Sequence, residues 1–178
     1  MRLLGAIIAG GGSLRFEGDK AAALLNGRAL IDHVRDSLSP QVDAVVVCGR
    51  AWPELETVAD RPAPDMGPLG GLCGALHHAA TQGFDAVLST GCDVLPVPDL
   101  RVLVGEGAAV VEGQRLFGFW PIALAVPLEK HLEDQDNLSL RQWISECKAR
   151  SVVCAGSFHN LNPRDDFALY SATEGRSF

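Results

Sequence analysis

The sequence predicts an α/β fold built on a parallel sheet, and three observations carry that prediction. Leu3–Ile8 and Val42–Cys48 are nearly unbroken apolar runs, the pattern of strands covered on both faces. Between them Ala29, Leu30, His33, Val34, Ser37 and Leu38 recur at helical spacing until Pro40 stops the helix. After Pro68, the residues Leu69, Leu72, Cys73, Leu76, Ala79 and Ala80 mark a second helix ending near Gly83, and Phe84–Thr90 follows as a third strand. Strand, helix, strand, helix, strand with short connections implies parallel pairing through right-handed crossovers.

The second half is less regular. Ala108–Glu112 reads as a strand, Gln114 and Arg115 as lying near a turn, and Trp120–Val126 as another strand. Leu138–Cys147 reads as a helix, with Leu140, Trp143, Ile144 and Cys147 on one face. Ser151–Cys154 adds a short strand, and Pro163 opens a closing helix over Arg164–Thr173. With no repeat, low-complexity tract or linker, residues 1–178 read as a single domain.

Composition narrows the function classes. The apolar share is 47% and the charged share 21%, so the chain can bury a continuous core. A net charge of −7 argues against a general nucleic-acid binder, which needs a basic face to displace counterions. A nucleotide is still compatible, because a divalent ion can supply the positive charge. The five cysteines form no CxxC pair, which suits a reducing cytoplasm. The opening apolar run is short and lacks a cleavage signal, so it reads as a buried strand, and no stretch approaches the roughly 20 residues of a membrane helix. A soluble cytoplasmic protein, without membrane or nucleic-acid partners, is expected.

Three segments could carry chemistry. In AGGGSLRFEGDK, Ala9 to Lys20, a strand runs straight into glycines whose N–H groups can approach an anion unobstructed. Ser13 can donate a hydrogen bond there, and Arg15 and Lys20 can pair with phosphate oxygens. The spacing is neither a P-loop nor a dinucleotide fingerprint, so a mobile turn and a phosphate cradle both stay open. Asp93 follows a strand end, where parallel sheets bind ligands and a carboxylate suits a hard divalent ion; the alternative is a helix cap or solvated loop acid. In Asp65-Met66-Gly67-Pro68-Leu69-Gly70-Gly71, glycines at a helix start give close backbone access, a platform for a flat base or simply a turn.

The histidines offer less. His77 and His78 are adjacent on a helix and point to different faces, so they read as surface or core residues. His33, His131 and His159 show no ligand spacing, and no HExxH run or Cys/His cluster exists, so a zinc site is not expected. The GxSxG elbow of a serine hydrolase is absent.

Taken in order, AGGGSLRFEGDK, GPLGG and TGCD resemble the nucleotidyltransferases that join a nucleoside monophosphate to a phosphorylated acceptor. Most closely the chain resembles the molybdenum cofactor guanylyltransferase family, with the opening motif on Ala9, Gly10, Gly11, Ser13, Arg15 and Asp19-Lys20. Similarity continues through NGRALIDHV and SPQVDAVVV to Asp93, and faintly to Asn160 and Asn162. The resemblance implies a Rossmann-like three-layer sandwich with a mostly parallel central sheet, binding GTP and Mg²⁺.

Residue by residue, it implies that Ile8, Ala9 and Gly10 hold the nucleotide, with Gly11 and Ser13 in the same loop, and that Lys20 contacts its phosphates. Asp60 matches an acid near the nucleoside, Asp93 the Mg²⁺-binding aspartate, and Asn160 and Asn162 a late pair beside acceptor or metal. Guanine over cytosine would rest on Ala9-Gly10-Gly11 and on Gly67, Pro68, Leu69 and Gly70. The implied partners are GTP, molybdopterin or its molybdenum-bound form, and proteins that deliver molybdopterin or mature molybdoenzymes. Lys20, Arg15 and Asp93 would carry in-line transfer with loss of pyrophosphate. Two positions depart from the family: Glu17 replaces a usual glycine in the phosphate loop, and Cys48 a polar residue, often Asn. Glu17 would swing outward, help hold Mg²⁺ or mark a member with weakened catalysis, and a relative that uses CTP or another phosphorylated acceptor also stays open.

Overall fold

The computed structural model describes residues 1–10, 21–134, 139–154 and 158–160. Gly11, Ser13, Arg15, Glu17, Lys20, Asn162 and the expected helix over Arg164–Thr173 lie outside the described residues.

The first strand, β1 (Leu3–Ile8), is buried along its whole length. Its odd residues Leu3 and Ile7 join the core around α1 (Leu30–Leu38), while Leu4, Ala6 and Ile8 join the core around α2 (Gly67–Thr81). That division is the period-2 alternation of a strand with a helix layer on each face. Each fully buried Leu or Ile here contributes about 1.5–3 kcal/mol. Gly5 sits where α1 comes closest: a Cβ there would lie 2.9 Å from Leu38 Cδ2.

The remaining central strands are β4 (Ala44–Cys48), β5 (Glu56–Val58) and β6 (Ala86–Gly91). After them come β8 (Ala109–Val111), β9 (Gln114–Pro121) and β10 (Arg150–Val152). The seven strands lie in the order β10-β8-β9-β6-β1-β4-β5. Pairing is parallel from β5 through β4 and β1 to β6 and between β8 and β10, and β9 runs antiparallel to both its neighbours. The expected mostly parallel sheet between helices is what the chain forms. Two short ribbons complete it, β2 (Leu24–Leu25) with β3 (Arg28–Ala29), and β7 (Val94–Leu95) with β11 (His159–Asn160).

Two carboxylates set where the chain enters the sheet. Asp43 Oδ2 accepts from Leu3 N at 2.6 Å, and Asp85 Oδ2 accepts from Arg2 N at 2.6 Å. Near the end of β9, beside β6, the buried Trp120 indole donates to Ser89 Oγ at 2.8 Å, and that hydroxyl donates to Leu116 O at 2.8 Å.

The second half corrects one expectation. Gln114 and Arg115 lie directly after a turn at Gly113, whose φ is +77°, and open β9. The expected strand over Trp120–Val126 ends at Pro121; a 3₁₀ turn, Ile122–Leu124, then leads into α3 (Ala125–Asp134). Ala125, Leu128 and Leu132 of α3 are buried at helical spacing beside α2, with Trp143 of α4 (Leu140–Glu146) in the same core. No helix among the described residues is long and apolar enough to cross a membrane.

Candidate active site

The parallel strands end on one row. Val58 is paired with Cys48, Cys48 with Ile8, and Ile8 with Gly91. Three strand spacings separate Val58 from Gly91, roughly 14 Å of sheet edge. Every site residue expected from the sequence and described by the structure, bar the α2 start, leaves the sheet from this row or stands beside it.

Beyond Ile8, the Ala9 N–H donates to Cys48 O at 3.0 Å, which carries the β1–β4 ladder past the strand end. Gly10 then presses on Gly49: a Cβ on Gly10 would lie 2.7 Å from Gly49 Cα. Gly49 has φ +83°, and a Cβ on it would run into Gly10 Cα. Only two glycines can meet this way, and they leave main chain exposed at the mouth of the glycine-rich loop. The chain is described again from Ala21, whose carbonyl accepts from Ile31 N at 3.2 Å. The β2–β3 ribbon turns at Asn26-Gly27, both with positive φ, and is tied to α1 by a 2.9 Å contact between His33 Nε2 and Leu25 O.

Asp60 stands two residues past Val58, at one end of the row. Gly70 and Gly71 of α2 close over it: a Cβ at Gly70 would lie 3.3 Å from Asp60 Oδ2, and one at Gly71 3.6 Å from Oδ1. Gly74 repeats the approach one turn later, where a Cβ would strike the Ala59 carbonyl. Asp60 Oδ1 is buried and has no hydrogen-bond partner among the described residues. Burial, with the nearby Asp65 charge adding to it, raises the Asp60 carboxyl above its ordinary range. Cys48 lies beneath, fully buried, its thiol pushed up to about 12 by burial and by Asp60. A neutral thiol therefore occupies the position below the acid.

The start of α2 adds unfilled donors. Pro68 lies in its first turn, and the N-cap residue Met66 offers no side-chain hydrogen bond. Gly67 enters the helix at φ +66°, and the Arg61 N–H donates to Gly70 O at 3.1 Å. Pro68, Leu69 and Gly70 are thereby fixed against the Asp60 segment, with Leu69 buried as an anchor.

Asp93 stands two residues past Gly91, at the other end of the row, and is half-buried. A Cβ on Gly91 would lie 3.2 Å from Asp93 Oδ1 and 3.1 Å from Leu116 Cδ1, so glycine keeps space around the carboxylate. Val94 pairs with Asn160 through the β7–β11 ribbon, which brings the Asn160 backbone next to Asp93 in the fold. A hard carboxylate oxygen at a strand end is the type of ligand an oxygen-coordinated divalent ion takes.

Arg50 is a residue that sequence reasoning passed over. It follows Gly49 at the same edge, with its guanidinium 5.3 Å from the Trp52 ring centroid, and Trp52 Nε1 donates to Asp32 at 3.0 Å. Its position directly after the strand-ending glycine was the available signal.

A sequence-family model described as a MobA-like NTP transferase domain matches residues 5–150, which include Asp60, the α2 start and Asp93. A molybdenum cofactor guanylyltransferase of Cereibacter sphaeroides is 34% identical, covering 94% of this chain and 95% of its own length. One from Acidiphilium cryptum is 31% identical over 98% of this chain and 95% of its own length. Among solved structures, the molybdopterin-guanine dinucleotide biosynthesis protein A of Archaeoglobus fulgidus superposes with a TM-score of 0.73. At 18% identity, covering 97% of this chain and 99% of that one, it shares the fold.

Proposed function

The chain belongs to the MobA-like NTP transferase domain family, and from that membership we propose that it transfers GMP from GTP to molybdopterin, releasing pyrophosphate and forming the guanine dinucleotide cofactor. Support comes from relatives named molybdenum cofactor guanylyltransferase that match along nearly the whole chain. The observation that carries the reading is the row of strand ends with Asp60 at one limit and Asp93 at the other. A nucleoside triphosphate laid across that row would put its base by Asp60 and its phosphates toward Asp93.

In this reading Asp60 Oδ1, without a partner among the described residues, accepts a hydrogen bond from the nucleoside, and Gly67 to Gly70 offer the base a flat backbone surface. Main chain at Ile8, Ala9 and Gly10 approaches the nucleotide, continued by Gly11 and Ser13. Arg15 and Lys20 neutralise the triphosphate. Asp93 would hold Mg²⁺, which when bound offsets charge on the phosphate oxygens. A terminal phosphate oxygen of molybdopterin attacks the α-phosphorus, the bond to the bridging oxygen breaks, and pyrophosphate carries away the electron pair. The attacking phosphate is already anionic, so the chain need supply position and charge but no general base. Asn160 and Asn162 would line the acceptor side. Residues 1–178 would act as one transferase domain in the cytoplasm, receiving molybdopterin from a delivering protein and passing product to molybdoenzyme maturation.

The test is incubation with each nucleoside triphosphate, Mg²⁺ and molybdopterin, reading pyrophosphate and product mass. Product from GTP alone supports the reading; product from CTP assigns a different base, and GTP binding without pyrophosphate release assigns a weakened homologue.

A further inference from the structure

We propose that Cys73, His77 and Glu129 form a second cation site, between α2 and α3, for a borderline-soft divalent metal such as Zn²⁺ or Co²⁺. Cys73 and His77 are one helical turn apart on α2, so both side chains leave the same face. Histidine spacing alone hides this pair, because its second member is a cysteine. Glu129 reaches the same place from α3. One ligand atom from each, sulfur, imidazole nitrogen and carboxylate oxygen, all lie within 4.8 Å of one another.

The polar atoms converge where α2 meets α3. His77 Nε2 is buried 3.1 Å from Glu129 Oε2, yet makes no hydrogen bond among the described residues. The other carboxylate oxygen, Oε1, is taken by Arg61, whose Nε and Nη2 lie at 2.9 and 2.8 Å. Oε2 faces His77 Nε2 at 3.1 Å, so a cation would enter between these two atoms, with Arg61 orienting the carboxylate from outside as metal-bound carboxylates usually require.

The donor set selects the metal. Ligands at zinc bond lengths of about 2.0–2.3 Å stand about 3.3–3.8 Å apart around a tetrahedron, so side-chain rotations of about 1 Å would close the site. Thiolate plus imidazole plus carboxylate favours zinc-like ions over Mg²⁺, which prefers oxygen alone. With Cys73 as thiolate and Glu129 ionised, a divalent ion leaves the three-ligand shell neutral, with a fourth position open to water. Without a cation, burial pushes the Cys73 thiol up to about 12, so it does not act as a nucleophile.

The experiment is a Co²⁺ titration of the full chain in excess Mg²⁺, read by absorption. One Co²⁺ per chain is expected, with a thiolate-to-cobalt charge-transfer band and the visible bands of tetrahedral cobalt. Cys73→Ser should abolish the charge-transfer band. His77→Gln and Glu129→Gln, at half-buried positions, should each weaken Co²⁺ binding by at least about tenfold. Circular dichroism checks the fold of each variant, and if Cys73→Ser unfolds, the two half-buried variants decide. Absence of a thiolate band in the parent chain, its survival in Cys73→Ser, or unchanged affinity in His77→Gln and Glu129→Gln overturns the proposal. Such a result leaves an Arg61–Glu129 ion pair beside His77 and has no bearing on GTP transfer.

Discussion

Asp60 and Asp93 stand at equivalent positions on two strands, each two residues beyond a member of one paired row, Val58 and Gly91. The two acids differ in their surroundings. Asp60 is covered by the glycines of α2, and its Oδ1 has no hydrogen-bond partner among the described residues, whereas Asp93 is half-buried beside Gly91. One position suits a neutral or weakly acidic hydrogen-bonding group, the other a cation ligand.

Asp93→Asn should keep the fold and lower pyrophosphate release from GTP by at least about a hundredfold, with the Mg²⁺ requirement blunted. Lys20→Ala should likewise abolish release in a folded chain. Steady-state kinetics over a range of Mg²⁺, with circular dichroism as the fold control, reads both; turnover retained in either variant removes that residue from its role.

Asp60→Asn should make the chain more stable and bind GTP less well. The folded chain holds the Asp60 proton more tightly than the unfolded chain does. Stability therefore falls as pH rises from the ordinary value of 3.8 through the raised folded value, and the penalty is complete above it. Thermal unfolding at pH 7 should show the higher Tm in Asp60→Asn, and the two chains should converge below pH 3.8. Equal melting at both pH values would show that the carboxyl is relaxed by solvent.

Gly49→Ala should cost more than Gly27→Ala, although the two backbones are nearly alike, at φ +83° and +80°. At Gly27 an added methyl meets nothing within 4 Å, so only backbone strain is felt. At Gly49 it meets Gly10 main chain, adding about 1–3 kcal/mol of overpacking. Urea denaturation of both variants measures the difference directly.

Ser89→Ala should destabilise by about 1–3 kcal/mol, because it strands the buried Trp120 N–H. The loss would shrink only if another acceptor moved in, and near-ultraviolet circular dichroism of Trp120 would report that rearrangement.

The strands were legible where both faces are covered. Leu3–Ile8 reads as a strand because every residue in it is apolar or small, and burial on two sides demands that. The same uniformity misleads after Phe117, where strand, 3₁₀ turn and helix share one apolar run with only Pro121 as a break. The inward positions of α3 also include His131, buried against Glu146 at 2.7 Å, so its helical period is not purely apolar. Asp93 could be placed from its strand end alone. Asp60 could not, because its burial comes from Gly70 and Gly71, across a turn that local sequence does not position. Cys73 and His77 were hidden by their helix: Leu69 through Leu76 are all buried, which erases the polar stripe that would have singled them out.

The touching glycines at positions 10 and 49 have a consequence for how this protein can change. Where two strands end in mutual main-chain contact, the surface offered to a ligand is peptide, and peptide has no side chain to mutate. Substitutions elsewhere can reshape the walls around that surface and retune which base or acceptor fits. The floor itself can be lost through an added Cβ but not gradually altered, so selection or design for a new substrate has to work through the rim, at Asp60 and the start of α2.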